Sequence, residues 1–217
     1  MKLRDRIVDC MIALCNRDGA HRVTTNHIIE ELSISPGTLY YHFKNKEEII
    51  REIFQRISGE FRTLYSFDQK ITVDRIIENI RESFRVLHRY RFFYTELPML
   101  LDRDDNLRES YRQNYREKQK LHSALYDHMA AGGILHLPES AEEKRALLRN
   151  LWIVTDLWFS FVKTAEGGPD EASAEEGARH YLFTLLPHLL PPYREEIRQS
   201  LINATPARKS AASRKKS

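Results

Sequence analysis

Apolar residues return every three or four positions along most of the chain. Leu3, Ile7, Met11, Leu14 and Cys15 form one such series. Ile49, Ile50, Ile53, Phe54, Ile57, Phe61 and Leu64 form a second, and Ile76, Ile77, Ile80, Phe84 and Leu87 a third. A helix of about 3.6 residues per turn gathers these positions on one face, whereas a half-buried strand needs strict alternation. No convincing alternation interrupts the pattern. Only 8 Gly and 8 Pro occur in 217 residues, which favours long helices over many turns. The expected fold is all-α: three short helices, then long ones.

Local punctuation predicts the ends. Gly19 stops a helix over 3–17. Thr24 caps a short second helix carrying Ile28, Ile29 and Leu32. Ser33-Ile34 is a tight connection, and Ser35 caps a third helix with Pro36 at its first position, where a missing N–H costs nothing. Lys44-Asn45 turns into a long helix opened by Lys46. Thr72 caps the next. An aromatic helix over 91–99 is expected to be interrupted near Pro98, and one over 104–131 to end at Gly132-Gly133. Ser140-Ala-Glu-Glu reads as a capping box for an apolar helix through Trp152, Trp158 and Phe161. Gly167-Gly168-Pro169 breaks that helix. Helices over 173–190 and 193–201 follow, then a low-complexity tail, 204–217, expected to be disordered.

The net charge is +3, unevenly spread. The last 14 residues hold five of the 34 Lys and Arg and no acid, so the rest carries 29 cations against 31 anions. A diffuse polyanion-binding field is excluded, and any nucleic-acid contact in the body must be local. Cys10 and Cys15 belong to no CxxC or Cys/His cluster and read as reduced thiols. The first residues lack the apolar core of a signal peptide. The most apolar run, 146–162, contains Arg149, Asn150 and Asp156, too polar for a membrane span of about 20 residues; a cytoplasmic location is expected. The nine His are scattered. No HExxH, GxSxG or Gly-rich phosphate loop occurs, so no catalytic role, metal or cofactor is expected.

Two short helices joined by Ser33-Ile34 form a helix-turn-helix candidate. A recognition helix must present small or polar groups at its N-terminus to base edges while its back anchors in a small core. Ser35, Pro36, Gly37 and Thr38 supply the first requirement, and Leu39 and Phe43 the second. Thr38, Tyr40, Tyr41 and His42 add donors around the helix.

The stretch VTTNHIIEELSISPGTLYYHFKNKEEII, Val23 to Ile50, resembles the DNA-binding segment of TetR-type (tetracycline-repressor-like) regulators. LYYHFKNKEE carries the family's Leu-Tyr-x-His-Phe-x-x-Lys signature. The resemblance is strong over residues 5–55. It implies phosphate contacts from Thr38, Tyr40, His42 and Lys46. It places Thr25, Asn26, Pro36, Gly37 and Tyr41 near bases, with Thr24 and Ser35 at the two helix starts. Ser33 stands where the family usually has Gly, and Ile29 where it usually has Ala, which predicts a slightly adjusted turn and a wider gap between the two helices.

The same resemblance implies a homodimer on a palindromic double-stranded DNA operator. Run 146–162 and the helix around Tyr181, Leu182, Leu185, Leu186 and Leu189 are apolar over most of their circumference, so the two C-terminal long helices are the expected dimer interface. Arg145, Arg149, Asp156, Ser160 and Lys163 form one polar stripe, on which Asp156 reads as solvated. Phe84, Phe92, Phe93, Tyr111, Tyr115, Trp152, Asp156 and Phe159 are the candidates for a pocket taking a small, largely apolar effector. The expected division is a DNA-binding unit 1–46, an effector and dimer unit 47–203, and the basic tail 204–217. A regulator that answers to a protein partner, or to no small ligand, is the alternative.

Overall fold

The computed structural model describes residues 2–64 and 71–203. Among them eleven α-helices and one 3-10 turn follow one another without a strand. α1 (Leu3–Asp18), α2 (Thr25–Leu32) and α3 (Pro36–His42) make the small N-terminal unit, and α4 (Lys46–Leu64) leads out of it. α5 (Val73–Arg89), α6 (Arg91–Thr95), α7 (Leu97–Arg103), α8 (Asp105–Ala131), α9 (Ala141–Ala165), α10 (Glu171–Leu185) and α11 (Tyr193–Asn203) complete the chain. α10 packs on α5 and α9, α9 on α6 and α8, and α4 on α1, α5 and α8. One apolar core joins these layers, from Ile7, Met11 and Phe43 to Phe84, Phe93 and Phe159.

The caps explain where helices start. Thr72 Oγ1 accepts from Arg75 N at 3.3 Å, Ser140 Oγ from Glu143 N at 3.0 Å, and Asn45 Oδ1 from Glu48 N at 2.9 Å. Asp104 is the cap of α8 rather than its first residue: Oδ1 accepts from Asn106 N and Leu107 N, and Oδ2 from Arg51 at 2.5 Å. Gly177 is required by contact. A Cβ there would clash with the Phe84 ring and stand 2.7 Å from Trp158 Cδ1, so its absence lets α10 lie against α5 and α9. Cys10 and Cys15 are free and buried, and burial pushes their thiols up to about 11 and about 12. Neither is a thiolate at neutral pH.

Two boundaries differ from the sequence expectation. The segment 91–99 is two helices, broken at Glu96, and Pro98 sits in the first turn of α7, where Pro is tolerated. α10 starts at Glu171, capped by Asp170, whose carboxylate accepts from Ser173 N at 3.0 Å, and ends at Leu185 because Pro187 cannot continue it. The tail 204–217 lies outside the described residues.

Glu96 has a reason to break the helix there. Its buried carboxylate accepts from Ala20 N at 3.2 Å and His21 N at 3.1 Å, and Lys163 Nζ of α9 approaches to 3.6 Å. The α1–α2 link is thus tied to α6, α7 and α9.

Ser33 adopts φ 51°, ψ 46°, the left-handed conformation expected from its place in the turn. For a residue with a Cβ this costs about 1 kcal/mol. Ser33→Gly should therefore raise the thermal midpoint by about 2–4 °C, read by calorimetry.

Candidate DNA-contact surface and ligand cavity

The third helix divides its residues as its sequence suggests. Leu39 and Phe43 are fully buried, and the Arg4 guanidinium lies 4.1 Å from the Phe43 ring centroid. Arg4 also donates to the His42 carbonyl at 2.8 Å and pairs with Glu52 at 2.8 Å, which closes the C-terminus of α3 against α1 and α4. Ser35 Oγ accepts from Thr38 N at 3.1 Å and lies 2.8 Å from Thr38 Oγ1. Pro36 and Gly37 are exposed beside it. A Cβ on Gly37 would meet nothing closer than Ser35 Oγ at 3.9 Å, so the protein's own packing does not require a glycine.

On the outer side Tyr41 is 85% exposed, its ring edge-on to His42 with centroids 5.1 Å apart. Tyr40 OH stands 3.3 Å from Thr25 Oγ1, joining the two helices across their open face. Thr24 caps α2 reciprocally with His27, its N–H donating to His27 Nδ1 at 3.2 Å, and Asn26 is exposed. Ile29 is half-buried against the core. Thr24, Thr25, Asn26, Ser35 to Thr38, Tyr40, Tyr41 and His42 thus share one neighbourhood.

Lys46 departs from the expected role. Its Nζ donates to the Ala20 carbonyl and, at 2.7 Å, to the Val23 carbonyl, and burial pulls its pKa down. The ammonium is turned inward to satisfy the carbonyls of the α1–α2 link rather than presented with the outer hydroxyls.

The aromatic candidates separate into layers. Phe92, Phe93 and Phe159 are buried core, and none of them lines the cavity around Trp152; Phe92 borders a separate cleft beside the α1–α2 link. Phe84, Trp152 and Asp156 line an inner cavity of about 20 Å³ together with Phe61, Lys118, His122 and Tyr181. Phe61, Lys118 and His122 also line an adjoining outer groove of about 240 Å³. Tyr111 and Tyr115 stand behind the wall: Tyr111 OH donates to Asp156, and Tyr115 packs edge-on against Trp152 with centroids 4.8 Å apart.

Asp156 is buried, not solvated. Ser160 of the same stripe also faces inward and donates to the Tyr94 carbonyl at 2.9 Å. Only this middle part of the stripe faces inward, toward α8 and α6; Arg145, Arg149 and Lys163 are exposed. Burial raises the Asp156 carboxyl to about 6, with Lys118 and Tyr111 acting against the rise. Burial lowers the Lys118 ammonium to about 8, and burial with the neighbouring Lys118 lowers His122 to about 4. The cavity expected to suit a largely apolar effector therefore carries two charged groups on aromatic walls. Lys118, His122, Phe61 and Tyr181 were not among the sequence candidates. Lys118 sits in the polar run Arg116 to Lys120, where periodicity does not tell which cation faces inward.

Comparison with known proteins agrees with this architecture. The model for bacterial regulatory proteins of the tetR family matches residues 7–53, and the TetR model described as a bacterial transcriptional repressor matches 47–197. The solved structure of a TetR-family transcriptional regulator from Marinobacter aquaeolei VT8 is 34% identical. It superposes with a TM-score of 0.85, covering 95% of this chain and all of that one. The fatty acid metabolism regulator protein of Bacillus subtilis is 25% identical over 149 residues, 65% of this chain and 71% of the relative. A transcriptional regulator from Saccharomonospora viridis, solved in complex with choline, shares the fold at 18% identity, with a TM-score of 0.66 and coverage of 84% of this chain and 95% of that one. With its helix-turn-helix surface and its helical second half both matched, the chain belongs to the TetR family of bacterial transcriptional repressors and is a DNA-binding regulator.

Proposed function

We propose that the protein represses transcription in the cytoplasm as a homodimer on a palindromic operator and is released by a small ligand in the α4–α5–α8–α9 cavity. The observation that carries the DNA role is the α3 N-terminus: small groups exposed at Ser35 to Gly37 with Thr38 half-buried beside them, held from behind by Leu39 and Phe43. In this reading Thr25, Asn26, Pro36, Gly37 and Tyr41 approach base edges, and Thr24, Ser35, Thr38, Tyr40 and His42 reach the backbone. Lys46 acts by fixing the α1–α2 link. Residues 1–46 form the DNA-binding unit and 47–203 the effector and dimer unit.

The dimer reading rests on α9 and α10. Ile153, Leu157 and Phe161 are each close to half exposed and follow one another at i, i+4, i+8 on one side of α9, and Phe183 of α10 is similarly open. An apolar stripe of this kind marks a protein interface. Phe161→Glu should convert the dimer to monomer in analytical ultracentrifugation and weaken operator binding. An unchanged dimer would remove α9 from the interface.

Selection of bound duplexes from random DNA by the purified protein should return an inverted repeat. In the same assay Gly37→Ala separates fold from recognition. The added methyl has room and improves helix propensity by up to about 1 kcal/mol, so thermal stability should hold or rise while affinity for the selected operator falls. Unchanged affinity would mean that α3 does not approach DNA at Gly37.

The ligand reading rests on the cavity and its polar groups, and the choline complex of the Saccharomonospora viridis protein supports a small-molecule role for a protein of this fold. Asp156 supplies a pH signature. Its folded-state pKa, raised to about 6, means that the charged form is disfavoured in the folded protein. The penalty is absent below the ordinary carboxyl pKa of about 3.9 and complete above about 6. Asp156→Asn should thus stabilise the protein by up to about 3 kcal/mol at pH 7, and the gain should vanish toward pH 4 in thermal melts across that range.

A further inference from the structure

The cavity holds a cation with no direct carboxylate partner: Asp156, in the same wall, acts on it only at a distance. Lys118 Nζ lies 3.8 Å from the Phe61 ring centroid and 5.5 Å from that of Trp152. Among the described residues its ammonium makes no hydrogen bond and no ion pair. Aromatic faces attract a cation but satisfy none of its three N–H donors. Lys118 is half-buried, and burial disfavours its charged form, which lowers its pKa.

The other polar groups do not fill the gap. Asp156 is engaged by the Tyr111 hydroxyl and sits on the buried side of the cavity. His122, held low by burial, is neutral at pH 7 and adds no charge. In the outer groove the one lining carboxylate, Glu117, accepts from Gln113 at 3.0 Å. Arg62 stands at the rim of the same groove and is exposed, its Nε donating to the Ser58 carbonyl at 3.3 Å. A molecule entering by the groove therefore meets Arg62 first and Lys118 at the end of the path, with Phe61 along the way.

We propose that the ligand of this cavity is a small organic carboxylate, its head group on Lys118 and its apolar body against Phe61 and Trp152. This rests on the reading of the cavity as the effector site and names the ligand class. The carboxylate oxygens accept from the ammonium N–H groups, to which no protein group is hydrogen-bonded, and the outer groove of about 240 Å³, somewhat below the usual volumes of ligand sites, restricts the body to a small one.

The test uses the full chain and calorimetric titration with three kinds of probe: the carboxylates hexanoate, benzoate and phenylacetate; their neutral amides; and the cation choline. At least one carboxylate should bind at least about tenfold more tightly than its amide, the expected size of a charged hydrogen bond lost. Lys118→Met, which keeps the volume and removes the charge, should bind carboxylate and amide alike, and Lys118→Arg should keep the preference. The proposal is overturned if choline or an amide binds as well as every carboxylate, if Lys118→Met retains the preference, or if no carboxylate of the series binds at millimolar concentration. Operator release is measured on the same samples. A carboxylate that binds through Lys118 without altering DNA affinity upholds the ligand class and removes the effector reading. Release of operator by choline alone upholds the effector reading and overturns the class.

Discussion

The helix-turn-helix is held in place by two charged side chains that face inward at one short link. The α1–α2 connection leaves backbone N–H and carbonyl groups that its own turn cannot pair. Glu96 accepts from the Ala20 and His21 amides, and Lys46 donates to the Ala20 and Val23 carbonyls. Each group comes from a different neighbour, Glu96 from the break between α6 and α7 and Lys46 from the start of α4. A buried backbone polar group without a partner costs about 1–3 kcal/mol, so both are structural obligations rather than ornaments. The placement of α2 and α3 is thereby tied to the half of the molecule that carries the cavity.

The same economy explains the orientation of α9. An amphipathic helix in a monomer turns its polar stripe to water. Here Asp156 and Ser160 turn inward and Ile153, Leu157 and Phe161 outward. The arrangement is costly for an isolated chain, because it exposes apolar surface and buries a carboxylate. It is consistent for a chain whose apolar side is covered by a second copy and whose buried charges belong to a ligand site, since proteins give up stability where function requires it.

Legibility in the sequence followed the range of the interaction. Caps and breakers act within four residues, so Gly19, Ser35, Thr72 and Ser140 marked real ends, and even the strained φ of Ser33 followed from its place in the turn. The neighbourhood of Thr24 to Asn26 and Ser35 to His42 was legible for the same reason: it is built from two adjacent helices. What escaped was set by distant partners. Glu96 breaks a helix because Ala20 and His21, some 75 residues earlier, need an acceptor. Lys46 reads as a free cation until the carbonyls of residues 20 and 23 are placed beside it. Lys118 is indistinguishable from Arg116 or Lys120 on a helix polar nearly all round, and only the position of Phe61 and Trp152 singles it out. Phe92, Phe93 and Phe159 lie outside the cavity around Trp152; the sequence does not show this, because an aromatic at helical spacing carries no mark that separates core from cavity wall.

α4 links these distant effects through its stiffness. It spans 19 residues, about 27 Å at 1.5 Å per residue. Phe61, near its C-terminal end, lines both the inner cavity and the outer groove; Lys46, at its N-terminal end, grips the α1–α2 link. An unbroken helix does not absorb a displacement of one end within a few residues as a loop does. In the proposed effector reading, a ligand that displaces Phe61 from the Lys118 ammonium would load α4 as a whole, and the load would reach the helix-turn-helix through Lys46. Such coupling shifts an equilibrium only by the difference in ligand affinity between the two arrangements. In the proposed effector reading, only the part of the ligand's contact with Lys118 and the Phe61 ring that differs between the two arrangements can drive the recognition helix from its operator geometry.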